Sequence, residues 1–191
     1  MIHKYSHEAE VSELDEAWTT ALTAAEAEAR AAGRGDLTAY LSLRNANDLK
    51  RKIGKDWLLD TFETVGAEAN AGGAAVKVAR EDHHRFKVGN ASMVGSSVSL
   101  GKGVRKLLVE VGWPRIPGDG FIRGGGLAVA NVLHFGIKSA DETLRLLLNL
   151  DGSPCWVLED QAGGHAVFQE ADLRKHFALL LADSRIRSSK S

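Results

Sequence analysis

Residues whose side chains could bind a ligand are concentrated in a basic, glycine-rich stretch in the middle of the 191-residue chain. Cationic side chains stand near glycine-rich turns there, with aromatic side chains close by in the sequence. Backbone N–H groups in such turns, together with cations, can hold a phosphate or a carboxylate. The residues predicted to bind a small anionic ligand are Lys102, Arg105, Trp113, Arg115 and Arg123. Trp113, and Phe121 nearby, could stack on a planar ligand. The simpler alternative is a solvated strand face flanked by charged loops.

Two glycine-rich segments resemble nucleotide-binding loops but have the wrong spacing. The triplet Gly124-Gly125-Gly126 lacks the GxGxxG spacing of a dinucleotide-binding loop. Residues 95–103 contain one residue too many for a phosphate-binding loop and lack the Ser or Thr that would ligate magnesium. The sequence therefore identifies no cofactor.

The densest group of metal-ligand residue types is Glu81-Asp82-His83-His84. Neighbouring residues on a strand point to opposite faces, so the two histidines could share a metal only in a turn, with His134 or His165 completing the site. The spacing matches no metal motif, which favours a polar hairpin tip. No metal site is predicted.

No catalytic residue can be assigned, and whether the protein is an enzyme stays open. The motif GxSxG is absent, and Ser96 and Ser97 lie in a strand-like run with no evident base. Cys155 could pair with a histidine such as His165, but a lone cysteine in a strand is more often a small core residue.

The charge is unevenly distributed along the chain, although the net charge is −1. Residues 1–75 contain 8 Lys and Arg against 13 Asp and Glu, whereas residues 76–123 contain 9 against 4. Acidic helices can flank a basic sheet within one molecule, or the two surfaces can join copies or bind a protein partner. Nucleic acid is disfavoured, because the total charge is slightly acidic and no recognised binding motif occurs.

The first third of the chain is predicted to be helical. Apolar residues at three- and four-residue steps from Val11 through Trp18 predict a first helix that ends at Gly33. Shorter helices are expected from Asp36, from Asn47 until Gly54 interrupts, and from residue 56 onwards. Residues 67–73 are predicted to be a linker.

Beyond Gly73 the hydrophobic period changes to two, which predicts strands. The clearest strand is Arg105–Trp113, in which the odd-numbered residues face one way. A long strand is expected over 121–135, bent at the glycine triplet. Residues 140–150 fit either a helix or the first half of a hairpin, and Asp151-Gly152 favours the hairpin.

We therefore expect a single α+β domain over residues 1–191. A helical part (1–70) and a C-terminal helix (170–184) would pack on one face of a curved antiparallel sheet of five to seven strands (74–169), followed by a frayed tail (185–191). The side chains expected in its core are Trp18, Trp57, Phe62, Phe177 and the odd-numbered residues of 107–113.

A cytoplasmic location is the expectation from three features of the sequence. The single cysteine, Cys155, excludes an intramolecular disulfide and fits a reducing compartment. The N-terminus has no apolar signal segment, and the longest apolar run is far short of the roughly 20 residues that span a bilayer. No membrane association is predicted.

Overall fold

The computed structural model describes residues 20–21, 23–159 and 164–182. These fall into two compact units that divide between Leu49 and Lys50. The single-domain organisation stays a prediction. Trp18 and the tail 185–191 lie outside the described residues.

The N-terminal unit contains a helix, α1, whose described part covers residues 20–21 and 23–31. Gly33 follows with φ of +68°, a conformation that glycine adopts at no steric cost, and it ends α1 where the sequence predicted. Ala29 and Leu41 form a small buried cluster of this unit.

One continuous helix, α2 (Gly35–Ala71), replaces the separate short helices that were predicted, and it extends through most of the expected linker. The expectation that Gly54 interrupts the helix was wrong because this glycine is a packing site. A Cβ atom there would lie 2.6 Å from Cδ1 of Leu146, and its carbonyl oxygen accepts a 2.8 Å hydrogen bond from Nε1 of Trp156. Gly66 likewise lies against Leu100.

In the described part of the chain, seven strands form one antiparallel sheet in which each strand pairs with the next. This sheet and its helices confirm the α+β class. The strands are β1 (Lys77–Val88), β2 (Ala91–Lys102), β3 (Arg105–Trp113), β4 (Ala128–Phe135), β5 (Glu142–Leu148), β6 (Pro154–Glu159) and β7 (His165–Val167). Short 3₁₀ turns at Pro117–Asp119 and Lys138–Ala140 flank β4, and α3 (Glu170–Leu181) follows the sheet.

The core of the C-terminal unit lies between one face of the sheet and the helices. The odd-numbered residues of β3 are buried there, as predicted, together with Phe62 and Phe177. Trp57 was expected in this core but is 41% exposed, because the buried stripe of α2 consists of Leu58, Leu59, Phe62 and Val65. We call this the helix face of the sheet and the other side the second face.

Three strand predictions had different outcomes. Residues 76–88, predicted as separate strands around a polar tip, contain one strand, β1, with a bulge between Glu81 and His84. The chain from 121 to 127 is a loop, because the glycine triplet takes φ angles that extended strands do not. Residues 142–148 and 154–159 form the favoured hairpin.

No described helix is both long and apolar enough to cross a membrane.

Candidate functional site

The most prominent irregular segment of the described chain lies between β3 and β4. We call residues 114–127 the 114–127 loop; its only regular element is the turn Pro117–Asp119. Most connections in compact domains are about 4–6 residues long, and longer ones without secondary structure commonly carry function. This loop is therefore the first place to look for a site.

Trp113 anchors the start of the loop. Its side chain is 6% exposed, and the guanidinium carbon of Arg115 lies 4.0 Å from its ring centroid. The guanidinium carbon of Arg51 lies 5.8 Å from the same ring. Burial and these contacts leave Trp113 poorly placed to stack on a ligand, contrary to the interpretation from sequence. It instead positions two cations through cation–π contacts.

Arg51 and Arg145 also contact the far end of the loop. Nε of Arg51 donates a 2.8 Å hydrogen bond to the carbonyl oxygen of Leu127. The Arg145 guanidinium lies against the Gly124 backbone so closely that a Cβ atom there would overlap it. Sequence reasoning missed both arginines, which come from α2 and β5.

The glycine triplet gives this end of the loop an unusual backbone. Gly124, Gly125 and Gly126 have φ of +76°, +84° and +107°, which other residues rarely adopt. Of the backbone amides of residues 121–127, all described, only two donate to a backbone carbonyl oxygen: that of Gly125 to Ile122 and that of Leu127 to Leu146. The remaining amides of this segment are donors that an anion can use.

Positive charge predominates in and around the 114–127 loop. Arg115 and Arg123 belong to it and are exposed, while Arg51 and Arg145 contact it. Its one carboxylate, Asp119, accepts the backbone amides of Arg115 and Ile116 at 3.0 and 3.2 Å. Phe121 is 73% exposed and is the aromatic side chain of this region that a ligand can reach.

Lys102 and Arg105 lie elsewhere. They pair across the β2–β3 hairpin, at the opposite end of β3 from Trp113. Nine residues of strand separate the two ends by roughly 26 Å at about 3.3 Å per residue. Arg105 Nη1 donates hydrogen bonds to the carbonyl oxygens of Leu179, at 2.9 Å, and Ala182, and so caps α3. The five residues predicted as one site therefore lie at two places.

A row of polar side chains crosses the second face. His84 Nε2 lies 2.7 Å from Oε2 of Glu110, Asn131 Nδ2 donates to Oε1 of Glu110 at 2.9 Å, and Thr143 donates to Asn131 at 2.9 Å. His84 reaches β3 from β1 across Gly95, which has no side chain to block it.

The hydrogen-bond donors and acceptors of this polar row are largely paired with one another. Glu110, which is 7% exposed, accepts from two donors, and the second ring nitrogen of His84 lies 3.4 Å from Glu81. The row therefore ties β1, β3, β4 and β5 together and stabilises the bulge. The hairpin-tip interpretation of Glu81–His84 was wrong. The described residues contain no group of three or more metal-ligand side chains.

Cys155 has a structural contact rather than a histidine partner. Its thiol donates to Asn149 Oδ1 at 3.0 Å, and His165 pairs with Glu159, four residues further along β6. Burial raises the pKa of the Cys155 thiol, and the carboxylate of Asp151 raises it further. Both effects oppose thiolate formation.

Comparison with protein-family models, with curated proteins and with solved structures found no match to this chain.

Proposed function

We propose that the protein binds a small anionic ligand, a phosphate or carboxylate compound, at the 114–127 loop. One observation carries the proposal: four guanidinium groups of the described residues belong to or touch a loop that contains one carboxylate. Guanidinium groups match the geometry of phosphate and carboxylate oxygens.

Arg115 and Arg123 are the side chains that contact the anion in this proposal, because both are exposed. Arg115 is held in place by Trp113, which reduces the entropy lost on binding. The backbone amides of residues 121–124 donate to the same anion, and Phe121 packs against the remainder of the ligand. Lys102 and Arg105 take no part.

A thermal-shift screen tests the proposal with inorganic phosphate, pyrophosphate, nucleotides, citrate and aromatic carboxylates. A ligand that binds only the folded chain raises the melting temperature, because it stabilises the folded state by RT ln(1 + L/Kd), where L is the free ligand concentration. The double variant Arg115→Ala/Arg123→Ala abolishes the shift, whereas Lys102→Ala, which removes a cation from the β2–β3 hairpin, retains it. Equal shifts in both variants, or no shift with any anion, would contradict the proposal.

Self-association or partner binding through the acidic and basic surfaces is the alternative. Its motivation is weakened because the two surfaces partly pair within one unit. Arg80 of β1 lies 2.8 Å from Asp60 and 3.1 Å from Glu63 of α2. Light scattering from 0.05 to 0.5 M salt separates the hypotheses, since screening weakens electrostatic association. A dimer that dissociates with salt supports the alternative.

A cytoplasmic site of action belongs to the same proposal. It is supported by the single cysteine, and fractionation of the cells that express the chain tests it.

A further inference from the structure

Three buried or half-buried side chains form a continuous hydrogen-bonded chain between α3 and the helix face. Glu142 of β5 lies 2.9 Å, through Oε2, from Nε2 of His176 on α3. Nδ1 of His176 lies 2.9 Å from Nε2 of His134 on β4. The rings stack with centroids 5.2 Å apart, and the histidines are only 5% and 6% exposed.

The geometry of these hydrogen bonds limits the number of protons that the two histidines and Glu142 can hold together. An imidazole nitrogen either donates or accepts, and only one hydrogen fits between His176 Nδ1 and His134 Nε2. With Glu142 ionised, His176 donates to the carboxylate through Nε2, and the chain can take up one further proton on the histidine pair. A second proton would set N–H against N–H and place two positive rings side by side.

The charged groups around the pair do not remove this limit. Asp141 accepts the backbone amide of His134 at 2.7 Å. Asp172 and Lys175, both on α3, pair with each other at 2.7 Å. Apolar and aromatic side chains also flank the pair: Leu107 is the partner of His134 on β3, and the ring of Phe168 lies 5.9 Å from that of His176.

The pH range in which the histidine pair acts follows from the direction of the pKa shift of His134. Burial lowers the pKa of His134, and the positive charge of His176 lowers it further, against the opposing effect of Asp141 and Glu142. An unfolded histidine titrates near 6.5. The stabilisation from neutral His134 is therefore complete above about pH 6.5 and is lost as the pH falls towards the folded-state value.

We propose that the His134–His176–Glu142 chain is a proton-operated latch that holds α3 on the sheet at neutral pH and releases it in mild acid. α3 follows the last strand, so it can detach without breaking any strand pairing. Release would expose Leu173, Phe177 and Leu180, which are buried now. Arg105 donates to the carbonyl oxygens of Leu179 and Ala182 at the end of α3, a contact that is separate from the histidine pair.

Hydrogen exchange measured by mass spectrometry between pH 7.5 and 5.0, corrected for the intrinsic exchange rate, tests the latch. Protection of residues 170–181 is expected to fall by up to tenfold per pH unit between about pH 6.5 and the folded-state pKa of His134, as one extra proton requires, and to level off below it. Protection of residues 107–111 in β3 should change much less. A parallel loss in both segments, or no loss in α3, would overturn the proposal.

The variant His134→Gln keeps a neutral hydrogen-bonding group beside His176 and removes the second proton site. Its α3 protection should be independent of pH in this range, whereas His83→Gln, on β1, should respond like the wild type. A pH response that persists in His134→Gln contradicts the latch. If His134→Gln does not fold, NMR titration of the wild-type histidines decides: a His134 pKa above 6.5 overturns the proposal, and one below it supports it.

Discussion

The guanidinium group of Arg115 lies over the indole ring of Trp113, 4.0 Å from the ring centroid to the guanidinium carbon. Trp113 is the last residue of β3 and is buried in the core, whereas Arg115 is exposed in the 114–127 loop. The contact thus joins a rigid part of the fold to the side chain that we propose as an anion ligand.

Replacement of Trp113 by leucine should weaken anion binding by about 2- to 30-fold, because a cation–π contact contributes about 0.5–2 kcal/mol. It should also lower the free energy of unfolding by about 2 kcal/mol through lost core volume. Calorimetric titration with the best anion and urea denaturation measure the two effects. Trp156→Leu is the control, since Trp156 is buried in the same core and has no cation of the described chain over its ring. Trp156→Leu should lose stability and keep its affinity for the anion. A loss of anion affinity in both variants would show that Trp113 acts only through core packing.

Gly124→Ala and Gly125→Ala form a matched pair that isolates the contact with Arg145. Both positions have positive φ, so each alanine should cost roughly 1–2 kcal/mol of stability. Only at position 124 does the added methyl group displace the Arg145 guanidinium, because nothing lies within 4 Å at position 125. Anion affinity should therefore fall in Gly124→Ala and change less in Gly125→Ala. Equal affinities in the two variants would show that Arg145 does not take part.

Glu110→Ala should destabilise the protein by about 2–4 kcal/mol, since it leaves the donors of His84 and Asn131 without an acceptor. The exposed carboxylate on the other side of His84 gives the control: Glu81→Ala should change stability by less than about 1 kcal/mol, as surface ion pairs usually do. Urea denaturation compares them. Similar small losses would mean that the polar row contributes little to folding.

Cys155 should react slowly with alkylating agents. The raised pKa of its thiol means that the thiolate population, and with it the rate, rises only above the usual midpoint near pH 8.5. Iodoacetamide labelling followed from pH 6.5 to 10 should show a midpoint above that of a cysteine peptide under the same conditions. A midpoint below that of the peptide would identify an activated thiol and would support Cys155 as a nucleophile.

Local patterns predicted the sheet well because strand alternation and turn chemistry act between near neighbours. The odd-numbered residues of β3 are buried as their alternation predicts, and Asp151-Gly152 correctly favoured the β5–β6 hairpin. Gly54 misled the helix prediction because its role depends on Leu146, a residue 92 positions away that packs against it. From sequence alone, a glycine in a helix predicts a break, because the residue that packs against it is not yet known.

The candidate site was only partly predictable for the same reason. Arg115 and Arg123 stand out beside glycines and prolines in the sequence, whereas Arg51 and Arg145 reach the loop from distant elements. Arg145 carries one signal that could have found it: it is the polar residue between Leu144 and Leu146 on a strand, and so must face the other side of the sheet. Its contact with Gly124 also requires the pairing of β4 with β5.

Anion binding at the 114–127 loop is tested most directly by two-dimensional NMR of the ¹⁵N-labelled chain during titration with inorganic phosphate and pyrophosphate. We expect saturable shifts centred on the amides of residues 121–126, and their loss in Arg115→Ala/Arg123→Ala. Shifts centred instead on the β2–β3 hairpin at Lys102 and Arg105, or no saturable shift with either anion at millimolar concentration, would contradict it.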